Sequence, residues 1–263
     1  MALKLDTQKE QRLLNTDRRF PLNENILGWK YQQPTTLKAH GDESLLALKF
    51  KANLPFVHAD GNLTPGYLFA KRFFDIVGAL FLILFLSPIL VVTYITLFIT
   101  TKGNPLFIQE RIGHLGRRFP MLKFRTMQLN AEAQKHLVEN KHQADPIFKN
   151  KRDPRITPLG AWLRKLSIDE TPQLFNVLVG QMSLVGPRPP IETEVAQYTA
   201  WHRQRLSVKP GLTCLWQVNG RSDIGFEDWV NMDIWYIRNQ NLLTDFKLLL
   251  KTPWSVLTGK GAY

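Results

Sequence analysis

Cysteine is nearly missing from this chain. Cys214 is the single thiol, so no internal disulfide can form, which suits a protein facing the cytoplasm. The familiar phosphate-binding and metal-binding signatures are missing as well. There is no G-x-G-x-x-G turn, no Walker loop and no C-x-x-C pair, and the six histidines show no ligand spacing. A Rossmann cofactor site, a P-loop nucleotidase and a zinc centre are thereby set aside. No internal repeat or low-complexity tract is present, and Met1 to Phe20 lacks an apolar stretch of the kind a cleavable signal peptide needs. Acidic residues are scarce: 22 Asp and Glu face 34 Lys and Arg, a net charge of +12. Such an excess points to a polyanionic partner, whether nucleic acid, anionic lipid or phosphorylated small molecules.

Charge is also missing where it would be most expected. From Ile76 to Thr101, 26 consecutive residues carry none (IVGALFLILFLSPILVVTYITLFITT). That exceeds the roughly 18 apolar residues that mark a membrane helix and is long for a soluble core. Ser87-Pro88 lies near its middle, where proline removes an amide donor and clashes with the preceding turn. Lys71 and Arg72 precede the run, and Lys102, Arg111, Arg117 and Arg118 follow it. Positive charge marks the cytoplasmic side, and a straight span would export one basic flank. The residues therefore favour a re-entrant helix–break–helix that enters and leaves through one face. A membrane segment also argues against nucleic acid as the partner.

The chain of 263 residues allows one sizeable domain with appendages. Residues 1–66 show no sustained period and read as a loosely structured arm. Residues 67–102 read as the membrane segment and 103–263 as the domain that follows it. The basic excess concentrates between Lys102 and Lys165, with 14 basic against 5 acidic residues. Gly113 and Gly116 predict turns between short extended pieces in QERIGHLGRRFPMLKFRTM (Gln109 to Met127), and residues 130–142 read as an exposed amphipathic helix. Thr157-Pro158 predicts a helix start, running to Leu166 with Leu159, Trp162, Leu163 and Leu166 on one face. A second helix is expected from near Asp169 to Gly180, with Pro172 in its first turn. PGLTCLWQVNGRS reads as a loop with a strand or turn. Helical spacing returns at Phe226, Trp229, Val230, Asp233 and Ile237, and again from Leu242 to Leu257. Trp201, Trp216, Trp229, Trp235 and Trp254 gather here, either on helices lying flat at the membrane surface or in a soluble core. Both readings stay open.

The chemistry is expected around Arg164 to Glu170 (RKLSIDE). A basic helix end leads to an acidic pair where the next helix begins. Helix N-termini carry unsatisfied amides and partial positive charge, which would hold these carboxylates ionised. An ionised carboxylate can attack phosphorus, provided Mg²⁺ and arginines offset the repulsion between anions. Asp169 and Glu170 could hold the metal through oxygen. Ser167 to Glu170 also fits a capping box, a purely structural alternative. Further on, SLVGPRPP (Ser183 to Pro190) surrounds Arg188 with prolines, which would aim one guanidinium; a plain surface loop is the alternative.

Taken together these segments carry a resemblance. From Lys71 to Tyr263 the chain resembles the bacterial sugar transferase family, the monotopic polyprenyl-phosphate phosphoglycosyl transferases. The matching stretches are KRFFDIVGAL, the Ser87-Pro88 break, QERIGHLGRRFPMLKFRTM, DPRITPLGAWLRKLSIDETPQLFNVLVGQMSLVGPRP, PGLTCLWQVNGRS and the terminal GAY, in family order over nearly three quarters of the chain. The resemblance implies a mainly helical α+β fold: a re-entrant membrane hairpin, interfacial amphipathic helices and a small catalytic domain on the cytoplasmic face of the bacterial inner membrane. It implies a ping-pong reaction in which Asp169 attacks the β-phosphate of a UDP-sugar, UMP leaves, and undecaprenyl phosphate takes the sugar-phosphate from Asp169. Glu170 matches the partner in the acidic dyad, with Mg²⁺ at the dyad. Arg164 and Arg188 match phosphate-binding arginines, and Lys123 and Arg125 the KFR motif. Gln217, Asn219 and Arg221 match a segment near the nucleotide, and Lys71 and Arg72 the basic pair at the membrane entrance. Membrane lipids are implied partners, and a homodimer is allowed without being required.

Thr171 stands where the family often has leucine, and Gln181 where an acidic residue is common. Larger members place several membrane helices and an extra domain ahead of this core, and residues 1–66 hold no such helices. The long C-terminal region resembles members that move glucose- or galactose-1-phosphate, as the first membrane step of exopolysaccharide, capsule or O-antigen synthesis. Two other readings compete: a non-catalytic basic adaptor bound to the membrane, and an enzyme of direct transfer in which the dyad only holds Mg²⁺.

Overall fold

The long helix begins where the chain offers a cap. Thr64 Oγ1 accepts from the Tyr67 amide at 3.2 Å, and Pro65 takes the first helical position. In the computed structural model, which describes residues 25–26, 29–30, 64–101, 103–131, 133–134, 138, 150, 153–220 and 224–258, the chain divides into two units, Met1–Glu43 and Ser44–Tyr263. The first contributes a two-stranded antiparallel pair, β1 (Asn25–Ile26) with β2 (Trp29–Lys30). Residues 64–66 of the predicted arm belong to the start of the long helix, and the rest of that arm lies outside the described residues.

In the second unit α1 (Pro65–Thr100) runs 36 residues, the one helix among the described residues long and apolar enough to cross a membrane. Helical conformation continues through Pro88, where the sequence predicts a break. Proline has no N–H for the Leu84 carbonyl four residues back, and the Ser87 hydroxyl donates to that carbonyl instead, at 2.7 Å. Both ends of α1 pack on the same unit. Near the start, the Asp75 carboxylate accepts from Ser183 Oγ and the Leu184 amide, each at 2.9 Å, and Ala79 is fully buried. Near the end, Leu97 is fully buried against Phe124 and Leu163. Between them Phe81, Leu84 and Phe85 are 63 to 73% exposed, an apolar surface that water would not favour.

After α1 comes a hairpin, β3 (Leu106–Ile112) antiparallel to β4 (Arg118–Phe124), turned by His114–Gly116 as the two glycines predict. The amphipathic helix expected at 130–142 falls mostly outside the described residues. Thr157 Oγ1 then accepts from the Gly160 amide at 3.0 Å and starts α2 (Pro158–Lys165). A single 3-10 turn, Ile168–Glu170, precedes α3 (Gln173–Leu178), and Gly180 at φ +84° reverses the chain. β5 (Ser183–Val185), α4 (Glu192–Val195), α5 (Ala200–Arg203), β6 (Gly211–Thr213), α6 (Leu215–Asn219), α7 (Phe226–Asn239) and α8 (Leu242–Thr258) complete the unit. β5 and β6 pair in parallel, with Ser183 opposite Gly211 and Val185 opposite Thr213. PGLTCLWQVNGRS is thus a strand followed by a helix.

Among the described residues the architecture is mainly helical, with three small two-stranded sheets. Its core gathers Leu174, Val177, Met182, Val185, Leu215, Val230, Ile237 and Leu248, all nearly without exposure. The tryptophans divide between the two readings. Trp216 and Trp229 are buried with ring centres 4.4 Å apart, whereas Trp254 is 73% exposed on α8 beside Leu243, Phe246, Leu250 and Leu257. Those five recur every three or four residues, an apolar stripe of the kind that lies at a lipid surface.

Candidate active site

The site is assembled from the hairpin, the end of α2, the 3-10 turn and the loop after β5. Ile168 packs on the Leu97, Phe124 and Leu163 cluster. That contact sets Asp169 and Glu170 one and two residues from a side chain packed on the cluster that holds the end of α1. Asp169 is buried, at 6% exposure. The structural alternative for this segment does not hold as drawn: Ser167 sits at φ +54°, and its side chain does not cap the turn. Asp169 therefore occupies the turn before α3 rather than the first turn of a long helix. Thr171 closes the turn, its hydroxyl donating to the Ile168 carbonyl at 2.6 Å.

Lys123, next to last in β4, donates to Glu170 Oε1 at 2.9 Å. The two carboxyls behave differently. Burial, with the Glu170 charge next in size, pushes Asp169 above the ordinary carboxylate range, opposed by Lys123 and Arg164. Burial also works against ionisation of Glu170, but Lys123 and Arg188, with Arg111, outweigh it and hold Glu170 well below that range. The expectation that the helix start lowers both carboxyls is thus corrected for Asp169, which burial raises to about 6, still below neutral pH. Its turn offers too little helix dipole to offset desolvation and a like charge next door.

Arg164, in the last turn of α2, points its Nε at Thr126 Oγ1, 3.1 Å away, and lies within electrostatic reach of Asp169 and Glu170. A side chain on Gly160 would place a Cβ 2.0 Å from the Thr126 carbonyl oxygen, so glycine is what lets α2 come close enough for this bond. Arg188 lies within electrostatic reach of Glu170, with its guanidinium 6.0 Å from the Trp229 ring centre. Asp169, Glu170, Lys123, Arg164 and Arg188 are thus brought together.

Other predicted residues lie elsewhere. Arg125 turns its Nε to the Asn104 carbonyl at 2.8 Å, over the Phe107 ring. Gln217 accepts from Cys214 Sγ at 3.2 Å, and Asn219 donates to the Leu215 carbonyl at 2.8 Å, both within α6 and its cap. Arg221 and the terminal GAY lie outside the described residues. Lys71 donates to Asp245 Oδ2 at 2.7 Å, the Val185 carbonyl and Tyr236. Arg72 donates to the Val177 and Leu178 carbonyls, each at 2.6 Å, closing the C-terminus of α3. The basic pair thus grips α3, β5, α7 and α8 rather than pointing outward.

Several residues escaped the sequence reading. Buried Arg111 on β3 acts electrostatically on Glu170, and burial, with Arg188 next, lowers its own affinity for the proton to about 10. Asn176 stitches α3 to β4, accepting from the Leu122 amide at 3.0 Å and donating to the Pro120 carbonyl and to Gln181 Oε1 at 2.7 Å. Gln181 therefore supplies the acceptor that an acidic residue would supply there. Local periodicity marks neither Arg111 nor Asn176.

For Mg²⁺ the donor set is narrow. Among the described residues no group of three His, Cys, Asp or Glu side chains converges. The Asp169–Glu170 pair offers two carboxylates, which suits an ion that takes its remaining ligands from phosphate oxygens and water.

Two carboxylates thus lie among four cations, one residue from a side chain packed on the Leu97, Phe124 and Leu163 cluster. Comparison with known proteins gives its family. Residues 66–259 match the bacterial sugar transferase model, and the chain belongs to that family. It is 45% identical over 205 residues to the UDP-galactose-lipid carrier transferase of Erwinia amylovora, covering 74% of this chain and 42% of that protein. It is 43% identical over 205 residues to the undecaprenyl-phosphate galactose phosphotransferase of Salmonella typhimurium, with the same coverage. It is 36% identical over 211 residues to the exopolysaccharide production protein ExoY of Sinorhizobium fredii, covering 77% of this chain and 92% of that protein. The chain thus spans under half the length of the first two relatives and nearly all of the third.

Proposed function

We propose that this chain is a phosphoglycosyl transferase that moves a hexose-1-phosphate, galactose or glucose, from a UDP-sugar to undecaprenyl phosphate through a covalent intermediate on Asp169. One observation carries the reading: buried Asp169 and half-buried Glu170 within the field of Lys123, Arg164, Arg188 and Arg111, beside Ile168 on the cluster that holds the end of α1. The relatives' names, which speak of UDP-galactose, undecaprenyl phosphate and exopolysaccharide production, agree with it.

In the first step an Asp169 carboxylate oxygen attacks the β-phosphorus. The bond from that phosphorus to the bridging oxygen breaks, and UMP leaves with the electron pair. In the second step a phosphate oxygen of the lipid attacks the same phosphorus, the acyl-phosphate bond breaks, and the carboxylate returns. Arg164 and Arg188 bind the diphosphate oxygens and offset the charge that builds on them. Lys123 holds Glu170 ionised. Asp169 and Glu170 would hold Mg²⁺, which when bound neutralises phosphate oxygens. Burial of Asp169 keeps water from the acyl phosphate.

The membrane topology we favour is re-entrant, on the cytoplasmic face. Its support is that α1 begins and ends against one body while its middle stays bare. The exposed stripe on α8 adds a second apolar surface for the bilayer.

The test is intact-protein mass spectrometry after incubation with UDP-galactose or UDP-glucose and no lipid. A hexose-phosphate adduct mapping to Asp169, with UMP released in equal amount, is expected. UMP release only when lipid is present, with no adduct, would replace this mechanism by direct transfer. No UMP from any UDP-sugar, with lipid present, would leave the adaptor.

A further inference from the structure

The loop Pro187–Pro190 is poor in amide donors, because three of its four residues are proline, so its carbonyls are its backbone handles. Each of the four is taken by a different donor. The Gly211 amide reaches the Pro187 carbonyl at 2.9 Å, Arg205 Nη2 the Arg188 carbonyl at 3.3 Å, Arg111 Nη1 the Pro189 carbonyl at 3.0 Å, and the Ile112 amide the Pro190 carbonyl at 2.9 Å. A Cβ on Gly211 would lie 2.0 Å from the Gly186 amide nitrogen, so β6 approaches this loop as closely as backbones allow.

Arg205 is the member with no tie to the dyad. Its side chain is 1% exposed. Nε donates to Asp233 Oδ2 at 2.7 Å and Nη1 to Tyr198 Oη at 2.6 Å, while the guanidinium lies 4.8 Å from the Trp229 ring centre. That ring also lies 6.0 Å from the Arg188 guanidinium. Three fixed contacts leave one edge of Arg205 free to reach a single backbone atom, the carbonyl of the residue whose side chain faces Glu170.

We propose that Arg205, held by Asp233 and Tyr198, is a positioning residue that aims Arg188 at the substrate phosphates. Arg111 holds the next carbonyl and has a second relation to Glu170, so Arg205 is the cleaner probe. The inference rests on the transferase reading for its activity readout, and on the loop alone for its structural one.

The experiment is a double-mutant cycle in the detergent-solubilised full chain, using Arg205→Lys and Arg188→Ala singly and together. Lysine keeps a cation opposite buried Asp233 but cannot serve three acceptors in one plane. Arg205→Lys should lower kcat for UMP release roughly 10- to 100-fold, the scale expected of a displaced contact to reacting groups. In the Arg188→Ala background the same change should cause no further loss. An equal loss in both backgrounds, or undiminished activity of Arg205→Lys, overturns the proposal. If Arg205→Lys fails to fold, Tyr198→Phe replaces it, with a several-fold loss expected that again vanishes without Arg188. Hydrogen exchange of the peptide carrying the Arg188 and Ile191 amides is measured alongside. Faster exchange in the variant is expected, and unchanged exchange overturns the positioning role. Should the wild-type chain release no UMP from any UDP-sugar, the transferase reading fails, while the exchange result still decides the loop.

Discussion

Two lysine–carboxylate pairs sit a short way below the surface of this protein, and they are built to different ends. Lys71–Asp245 closes at 2.7 Å and Lys123–Glu170 at 2.9 Å. Around the first, charges balance. Lys71 meets the Val185 carbonyl and Tyr236 besides Asp245, and Asp245 accepts from Tyr236 and Tyr67 as well. Around the second they do not. Arg111, Arg164 and Arg188 stand close by with a second carboxylate, Asp169. A saturated pair is a fastener that ties α1 to α7 and α8. A pair set in excess cation presents a positive field, which on the proposed reading receives the anionic substrate.

The contrast is tested most severely at Asp169. Asp169→Asn should abolish UMP release, a loss of at least about 10³-fold, while its melting temperature holds or rises, since a buried carboxyl resisting ionisation is replaced by a neutral isostere. Retained turnover would end the nucleophile assignment. Arg188→Lys comes next, with about a 10²-fold loss in kcat/KM, read by the same assay. The two lysines should then separate cleanly. Lys71→Met, which leaves Asp245 buried without its cation, should destabilise the fold by about 3 kcal/mol in thermal or denaturant melts. Lys123→Met should instead lower activity at least tenfold with a far smaller shift in melting. Similar melting losses in both would erase the distinction.

A subtler effect lies in the pH profile. Because the Asp169 carboxyl is raised above the ordinary range, the ionised nucleophile is lost as pH falls through that raised value. The acidic limb of kcat/KM should therefore lie above the usual carboxylate range. Glu170→Gln removes the like charge and should move the limb of the residual activity to lower pH. Lys123→Met removes a cation and should move it to higher pH. The smallest effect is expected for Ser87→Ala, about 1 kcal/mol, measured as reduced thermal stability in lipid.

Much of the local structure was legible. Thr157-Pro158 announced α2, Gly113 and Gly116 the hairpin turn, and the spacing of Phe226 to Ile237 the helix α7, because caps, turns and amphipathic faces are written within a few residues. Contacts across the chain were not. Lys123 and Glu170 are 47 residues apart, and Arg111 and Pro189 are 78 apart. Neither Arg111 nor Arg205 has a local signature, since each is defined by the carbonyl it meets. The direction of the Asp169 shift was misread for a related reason. A helix start was legible, but burial, which outweighs it, is a property of the fold. The Ser87-Pro88 break was read from proline alone, while the serine before it keeps the helical hydrogen bonding supplied.

The contact of Ile168 with the cluster around Leu97 sets how far apart two incompatible solvents must meet. A polyprenyl tail dissolves only in hydrocarbon and a uridine nucleotide only in water. On the proposed reading α1 lies in the membrane and Asp169 reacts one residue from a side chain packed on the cluster at its end, so neither molecule has to leave its own phase. In that reading the lipid brings a phosphate up to the boundary, the nucleotide sugar comes down to it, and the protein has only to pass one sugar-phosphate between them.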